Sequence, residues 1–206
     1  MLSSFLARLG FGRNQTPQMP MPERFTIQGV SVEVLNSRPE IATADVIERL
    51  EASLALIGQH QPWRLRHLQR DIRAIRVERY ACRGAFSPSE RVIITELTFL
   101  ARRDISAAPV ASSILHEGVH ARVHAMTEFL ARWSGVFPGE RDSAREERLC
   151  RRGELAFGES LPPELGEPVI ERAQASLMLD DVGVAPRVDW TEAQRRIDAV
   201  DRGATQ

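Results

Sequence analysis

The sequence predicts an α+β domain, a small antiparallel or mixed sheet formed early in the chain and packed on a helical bundle formed late. Three observations carry that expectation. Apolar and polar side chains alternate, as in strands, only within residues 25–99; apolar residues three and four apart, as in helices, dominate beyond residue 108; and the strand segments do not interleave regularly with helices, which argues against repeated βαβ units.

Residues 1–9 begin as an apolar run that Arg8 interrupts, and read as a frayed, weakly amphipathic helix. Residues 14–23 hold Pro17, Pro20 and Pro22 with no hydrophobic period, and read as an extended linker. The expected division is a flexible tail with a Pro-rich linker over residues 1–23 and a single domain over 24–206. Val30, Val32 and Val34 alternate with Ser31 and Glu33, predicting a strand over residues 25–35. Val46, Ile47, Leu50, Leu54 and Ile57 predict a helix over 42–57 that Gly58 closes, and a short helix follows over 62–69. Ile75 and Val77 alternate with Arg76 and Glu78 in a strand over 72–82, and the β-branched run Val92-Ile93-Ile94-Thr95 predicts its sheet neighbour over 91–99. Between them, Gly84 and Ser87-Pro88-Ser89 supply turn chemistry. Helices are then expected over 109–133, 140–157, 167–177 and 190–200, with a break at Leu161-Pro162-Pro163.

The composition narrows the chemistry. All 27 basic residues are arginine, which excludes Schiff-base chemistry, a lysine general base and a phosphate loop of the lysine-bearing type. The 28 acids leave a net charge of -1, so a basic nucleic-acid footprint over the whole chain is missing and no specific nucleic-acid partner is expected. Seven arginines between Arg64 and Arg83 are interleaved with Asp71 and Glu78, and read as solvated faces and ion pairs. Two cysteines, Cys82 and Cys150, are too few for a disulfide framework. With no signal or membrane-spanning segment in view, a cytoplasmic location is expected.

Chemistry concentrates in the long helix at His116-Glu117-Gly118-Val119-His120. Residues four apart lie on one helical face a turn apart, so His116 and His120 can converge on one metal ion, while Glu117 stands beside it as a proton acceptor. With five histidines and nineteen glutamates in the chain, a random shuffle produces this spacing roughly one time in a hundred. Leu115, Val119, Val123, Met126 and Leu130 give the same helix a stripe expected to be buried.

On that motif the chain resembles the zincin class of zinc-dependent metallopeptidases over roughly residues 90 to 158. The resemblance implies a sheet lying against the active-site helix, an edge strand that holds extended substrate, and a third ligand from a later helix. The metzincin branch requires a third histidine where this chain has Met126, so the gluzincin-like branch is the one implied, with a glutamate ligand on the following helix. Small bacterial zincin-like proteins of unassigned substrate pair such a motif with Arg-x-Glu-x-x-Cys, matched here by Arg145, Glu147 and Cys150, which points to Glu147. A helical hairpin turning near residues 135–137 instead brings residue 153 level with the histidines and favours Glu154. The glutamate that is not a ligand is then expected to orient a histidine.

The resulting expectation is a zinc hydrolase acting on a peptide or protein, with zinc held by His116, His120 and Glu147 and with Glu117 as general base. The alternative is a structural or regulatory zinc protein, in which Cys150 or His124 closes the coordination sphere. His124 and Tyr80 are further candidates for contact with a substrate carbonyl. Arg145, Arg151 and Arg152 are expected close to the metal.

Overall fold

The structure, a computed structural model, describes residues 21–135, 142–186 and 189–203. The expected N-terminal helix and most of the expected linker therefore lie outside the described residues. Strand β1 (Glu23–Ile27) turns back onto β2 (Val30–Val34). Where the alternation suggests one continuous strand over 25–35, Gln28 and Gly29 take positive φ of 49° and 72°. This is the two-residue hairpin turn whose twist matches its flanking strands, and glycine at its second position carries no steric cost.

Helices α1 (Thr43–His60) and α2 (Pro62–Asp71) lead to β3 (Ala74–Glu78), and β4 (Gly84–Ser87) and β5 (Val92–Glu96) complete the sheet. The strand order is β1-β2-β3-β5-β4, parallel through β2, β3 and β5 and antiparallel at both edges. The architecture is α+β with a mixed sheet, yet it contains one strand–helix–helix–strand crossover, from β2 through α1 and α2 to β3. Strand β4 occupies the segment that reads as turn chemistry. Its Gly84, Ala85 and Ser87 have weak strand preference, and its ladder to β5 supplies what local propensity lacks. The run expected to stay extended to residue 99 ends at Glu96, whose carboxylate accepts the Phe99 amide at 2.6 Å and starts α3 (Leu97–Ala101).

Register places Val32, Ile75, Ile93 and Phe86 in one row across four strands on the helix-facing side of the sheet. Against that side α1 buries Val46, Leu50, Leu54 and Ile57. The first half of α4 (Ala107–Ser134) adds Val110, Ala111, Ile114 and Leu115. Each such burial is worth about 1.5–3 kcal/mol, and together they hold the motif helix against the sheet. The opposite side is thinner, with Ala74, Val92 and Ile94 beside Tyr80 and with Glu33 between Arg73 and Arg76.

Ser106 caps the start of α4, and Gly135 ends it in the left-handed conformation. The apolar stripe expected along the whole helix stops short, because Met126 and Leu130 are exposed along with Phe129 and Trp133. A helix of 28 residues runs about 42 Å, far beyond the reach of five-residue strands. Helix α5 (Ser143–Ser160), capped by Asp142, packs back along α4, and residues 140–141 of its expected span lie outside the described residues. α6 (Pro163–Leu177) begins four residues earlier than its hydrophobic period suggests, with Pro163 at its first position. α7 (Asp181–Val184) and α8 (Trp190–Gly203) follow. Among the described residues no helix is long and apolar enough to cross a membrane.

Candidate metal centre

The four-residue spacing does what helical geometry requires. The rings of His116 and His120 lie on one face of α4, 5.1 Å apart and tilted by 62°. Contacts with α5 descend in number as those on α4 rise, so the two helices are antiparallel: Glu154 meets His116, while Glu146 and Glu147 meet His120. The Glu147 carboxylate spans both rings, with Oε2 3.2 Å from His116 Nε2 and Oε1 3.2 Å from His120 Nε2. The other ring nitrogens face outer carboxylates. His120 Nδ1 is hydrogen-bonded to Glu146 Oε1 at 2.8 Å, and His116 Nδ1 lies 3.2 Å from Glu154 Oε1. That second contact is poorly aligned, and the buried Nδ1 of His116 has no hydrogen-bond partner.

Imidazole and carboxylate donors of this kind suit a small divalent ion, and Glu147 offers a different oxygen to each ring. Carboxylates behind the distal nitrogens are what metal-bound histidines use to hold their ring orientation. A second donor combination overlaps the first, since ligand atoms of His116, His120 and Cys150 all lie within 4.8 Å of one another. Both Glu147 and Glu154 are therefore at the histidines. Glu147 faces the pair and Glu154 stands behind one member.

The imidazoles and carboxylates of the cluster form a dense network of contacts. Burial lowers the affinity of His116 for a proton, but Glu147 and Glu154 more than reverse this and raise its pKa. His120 is subject to the same burial, yet Cys150, Glu146 and Glu147 push it up to about 12. Glu147 is held well below the usual carboxylate range by the two imidazoles, against the opposing effect of its own burial. Burial has the opposite outcome for Glu117, whose pKa it raises despite the nearby histidines. Cys150 is fully buried, and that burial raises its thiol pKa.

Glu117 and the two histidines open on a cleft of about 750 Å³. The cleft runs beside β4 rather than along β5. β5 is an interior strand, and the edge that borders the histidines is formed by Gly84, Ala85 and Phe86. Gly84 is positioned so that any Cβ there would stand 3.2 Å from Cγ and Oε1 of Glu117 and 3.1 Å from Ser113 Oγ. Absence of a side chain at residue 84 is what lets the strand approach the glutamate.

Other candidates separate. His124 faces Glu128 at 3.4 Å and the Phe86 ring at 5.8 Å, and Tyr80 packs on the far side of the sheet; neither lines the cleft. Arg151 lines it and pairs with Glu154, whereas Arg145 and Arg152 are exposed on α5 outside it. The arginines around α2 and β3 largely pair with acids, Arg70 with Asp71, Arg73 with Glu33, Arg76 with Glu90 and Arg79 with Glu96. Sequence reasoning missed Arg172 and assigned Glu146 no separate role. A second glutamate beside Glu147 is the only local signal for the latter, and Arg172 has none, because it is the packing of α6 on α5 that brings it to the cleft. Comparison with family models, with curated proteins and with solved structures finds no significant match, so the geometry of this site carries the functional argument.

Proposed function

We propose that this protein is a zinc-dependent hydrolase of the gluzincin-like type that cleaves peptide bonds, with His116, His120 and Glu147 as the ligands of the ion. One observation carries the reading above all: the Nε2 atoms of two histidines a helical turn apart converge on one carboxylate, next to a buried glutamate on the floor of an open cleft. Bound zinc would supply Lewis acidity and a water activated for attack at neutral pH. Glu117 would take a proton from the attacking nucleophile and return it to the departing amine. A carboxyl whose pKa is raised by burial suits both halves of that task. Glu154 and Glu146 fix the imidazoles from behind. Edge strand β4, with its outward backbone groups beside the histidines, suits an extended peptide added as a further strand.

Glu117→Gln tests this. The variant is expected to retain one zinc per chain while losing turnover of a fluorogenic peptide mixture by about 10²–10⁴-fold. Full activity in the variant, or wild-type protein without stoichiometric zinc, overturns the mechanism. The second reading is a structural or regulatory zinc protein, and it rests on Cys150, whose thiol stands close enough to the histidines to close the coordination sphere. It predicts a four-ligand site with no exchangeable water.

A further inference from the structure

The cleft beside the histidines has a second pole. Arg83, before β4, Arg151 on α5 and Arg172 on α6 reach it from three different elements. Glu154 is the acid near them, and it already lies between Arg151 Nη1 at 3.1 Å and His116 Nδ1 at 3.2 Å. Arg83 lies over the Phe99 ring, its Cζ 5.2 Å from the ring centroid. Arg172 is half-buried, yet its guanidinium makes no hydrogen bond or ion pair with any described residue, and the buried Nε of Arg151 is also without a partner. Burial works against the charge on Arg172, Glu154 favours it, and Arg83 and Arg151 oppose it by like-charge repulsion.

A half-buried cation with open donors is a cost to the fold that is recovered when a ligand brings the missing charge. The partner that best fits a planar fork of donors is a carboxylate, bound through two parallel hydrogen bonds. We propose that Arg172, assisted by Arg151 and Arg83, is a carboxylate-binding subsite that selects peptides carrying a negative charge near the bond to be cut. The assignment to peptides rests on the hydrolase reading above, whereas carboxylate binding at Arg172 does not. The carboxylate has two sources, a free C-terminus or an acidic side chain.

Three fluorescent tetrapeptides separate the sources: one with neutral side chains and a free C-terminus, the same peptide amidated, and the amidated peptide with one aspartate. Anisotropy titrations use zinc-loaded protein bearing Glu117→Gln, so that nothing is cleaved, and metal-free wild-type protein. At least one carboxylate peptide is expected to bind about tenfold or more tightly than the neutral amide, with Arg172→Gln abolishing the preference and Arg172→Lys retaining part of it. A preference for the free C-terminus assigns the terminal carboxylate, and a preference for the aspartate peptide assigns the side chain. Because Arg172 has no partner to lose, Arg172→Gln should melt at the same or a higher temperature, a readout that a structural role would reverse. Equal or undetectable binding of the three peptides, a preference that survives Arg172→Gln, or a melting point lowered by several degrees overturns the proposal. A carboxylate preference in protein that fails to hold zinc would leave the subsite standing and remove the hydrolase reading.

Discussion

The sharpest test of the centre is the order in which its acids and its thiol matter for zinc affinity. Glu147 touches both Nε2 atoms at 3.2 Å, whereas Glu154 and Glu146 each touch one Nδ1 from behind. A four-ligand zinc site worth roughly 10–16 kcal/mol averages about 3 kcal/mol per ligand, so Glu147→Gln should weaken zinc binding by about 10²-fold or more. A single hydrogen bond between a histidine and a charged acceptor is worth about 1.5 kcal/mol, which places Glu146→Gln near tenfold, and Glu154→Gln, whose contact to His116 Nδ1 is poorly aligned, at tenfold or less. Cys150→Ser should change the affinity by less than about threefold if the thiol only fills space beside the site. Competition against a chromophoric chelator measures all four, with metal content per chain determined in parallel. If Cys150→Ser costs about 10²-fold while Glu147→Gln costs tenfold or less, the ligand set is wrong and the closed, non-catalytic site is the better reading. If Glu154→Gln exceeds Glu147→Gln, the two glutamates have exchanged roles.

Four further outcomes are expected. The pKa of His120 is pushed up to about 12 and that of His116 is also raised, so an ion binding at the Nε2 atoms competes with protons; affinity should rise about tenfold per pH unit for each proton displaced, and calorimetry in buffers of different ionisation enthalpy should detect that release, pH-independent affinity between about pH 6 and 8 being the contrary result. The same raised values mean that the metal-free protein is stabilised below the ordinary imidazole value of about 6.5 and loses that contribution as pH rises toward the folded values. Gly84→Ala should press on Glu117 and lower turnover about tenfold with zinc content unchanged; unaltered turnover would show that the strand yields without disturbing the base. Phe157→Ala removes a fully buried ring from α5 and should cost about 3–5 kcal/mol in chemical denaturation, and a loss under about 1 kcal/mol would mean that α5 is not anchored there.

Much of the fold was legible because local pattern and tertiary role coincide. Val46, Leu50, Leu54 and Ile57 recur at helical spacing and face the sheet, and Ile75, Val77 and Ile93 alternate and line its covered side. Legibility failed where the deciding force was not local. β4 exists through hydrogen bonds to β5 rather than through residue preference, and the turn at Gln28 and Gly29 interrupts an alternation that reads as continuous. The exposed end of α4 has the same period as its buried beginning, and only the length of the sheet distinguishes Ile114 from Leu130.

Within the centre, sequence alone determined that His116 and His120 share a face with Glu117 beside them, because helical periodicity is a property of one segment. It also brought both Glu147 and Glu154 into consideration, the first through the resemblance of Arg145, Glu147 and Cys150 and the second through the length of the helical hairpin. Which atom each glutamate reaches was decided only by the packing of α5 against α4, where the phase and length of the side chains send one carboxylate to both Nε2 atoms and the other to an Nδ1. Arg172 shows the limit most plainly. Nothing around it in the chain marks it, and it gains a role only because α6 folds over α5 and delivers an unpaired charge to a cleft lined by segments some ninety residues earlier.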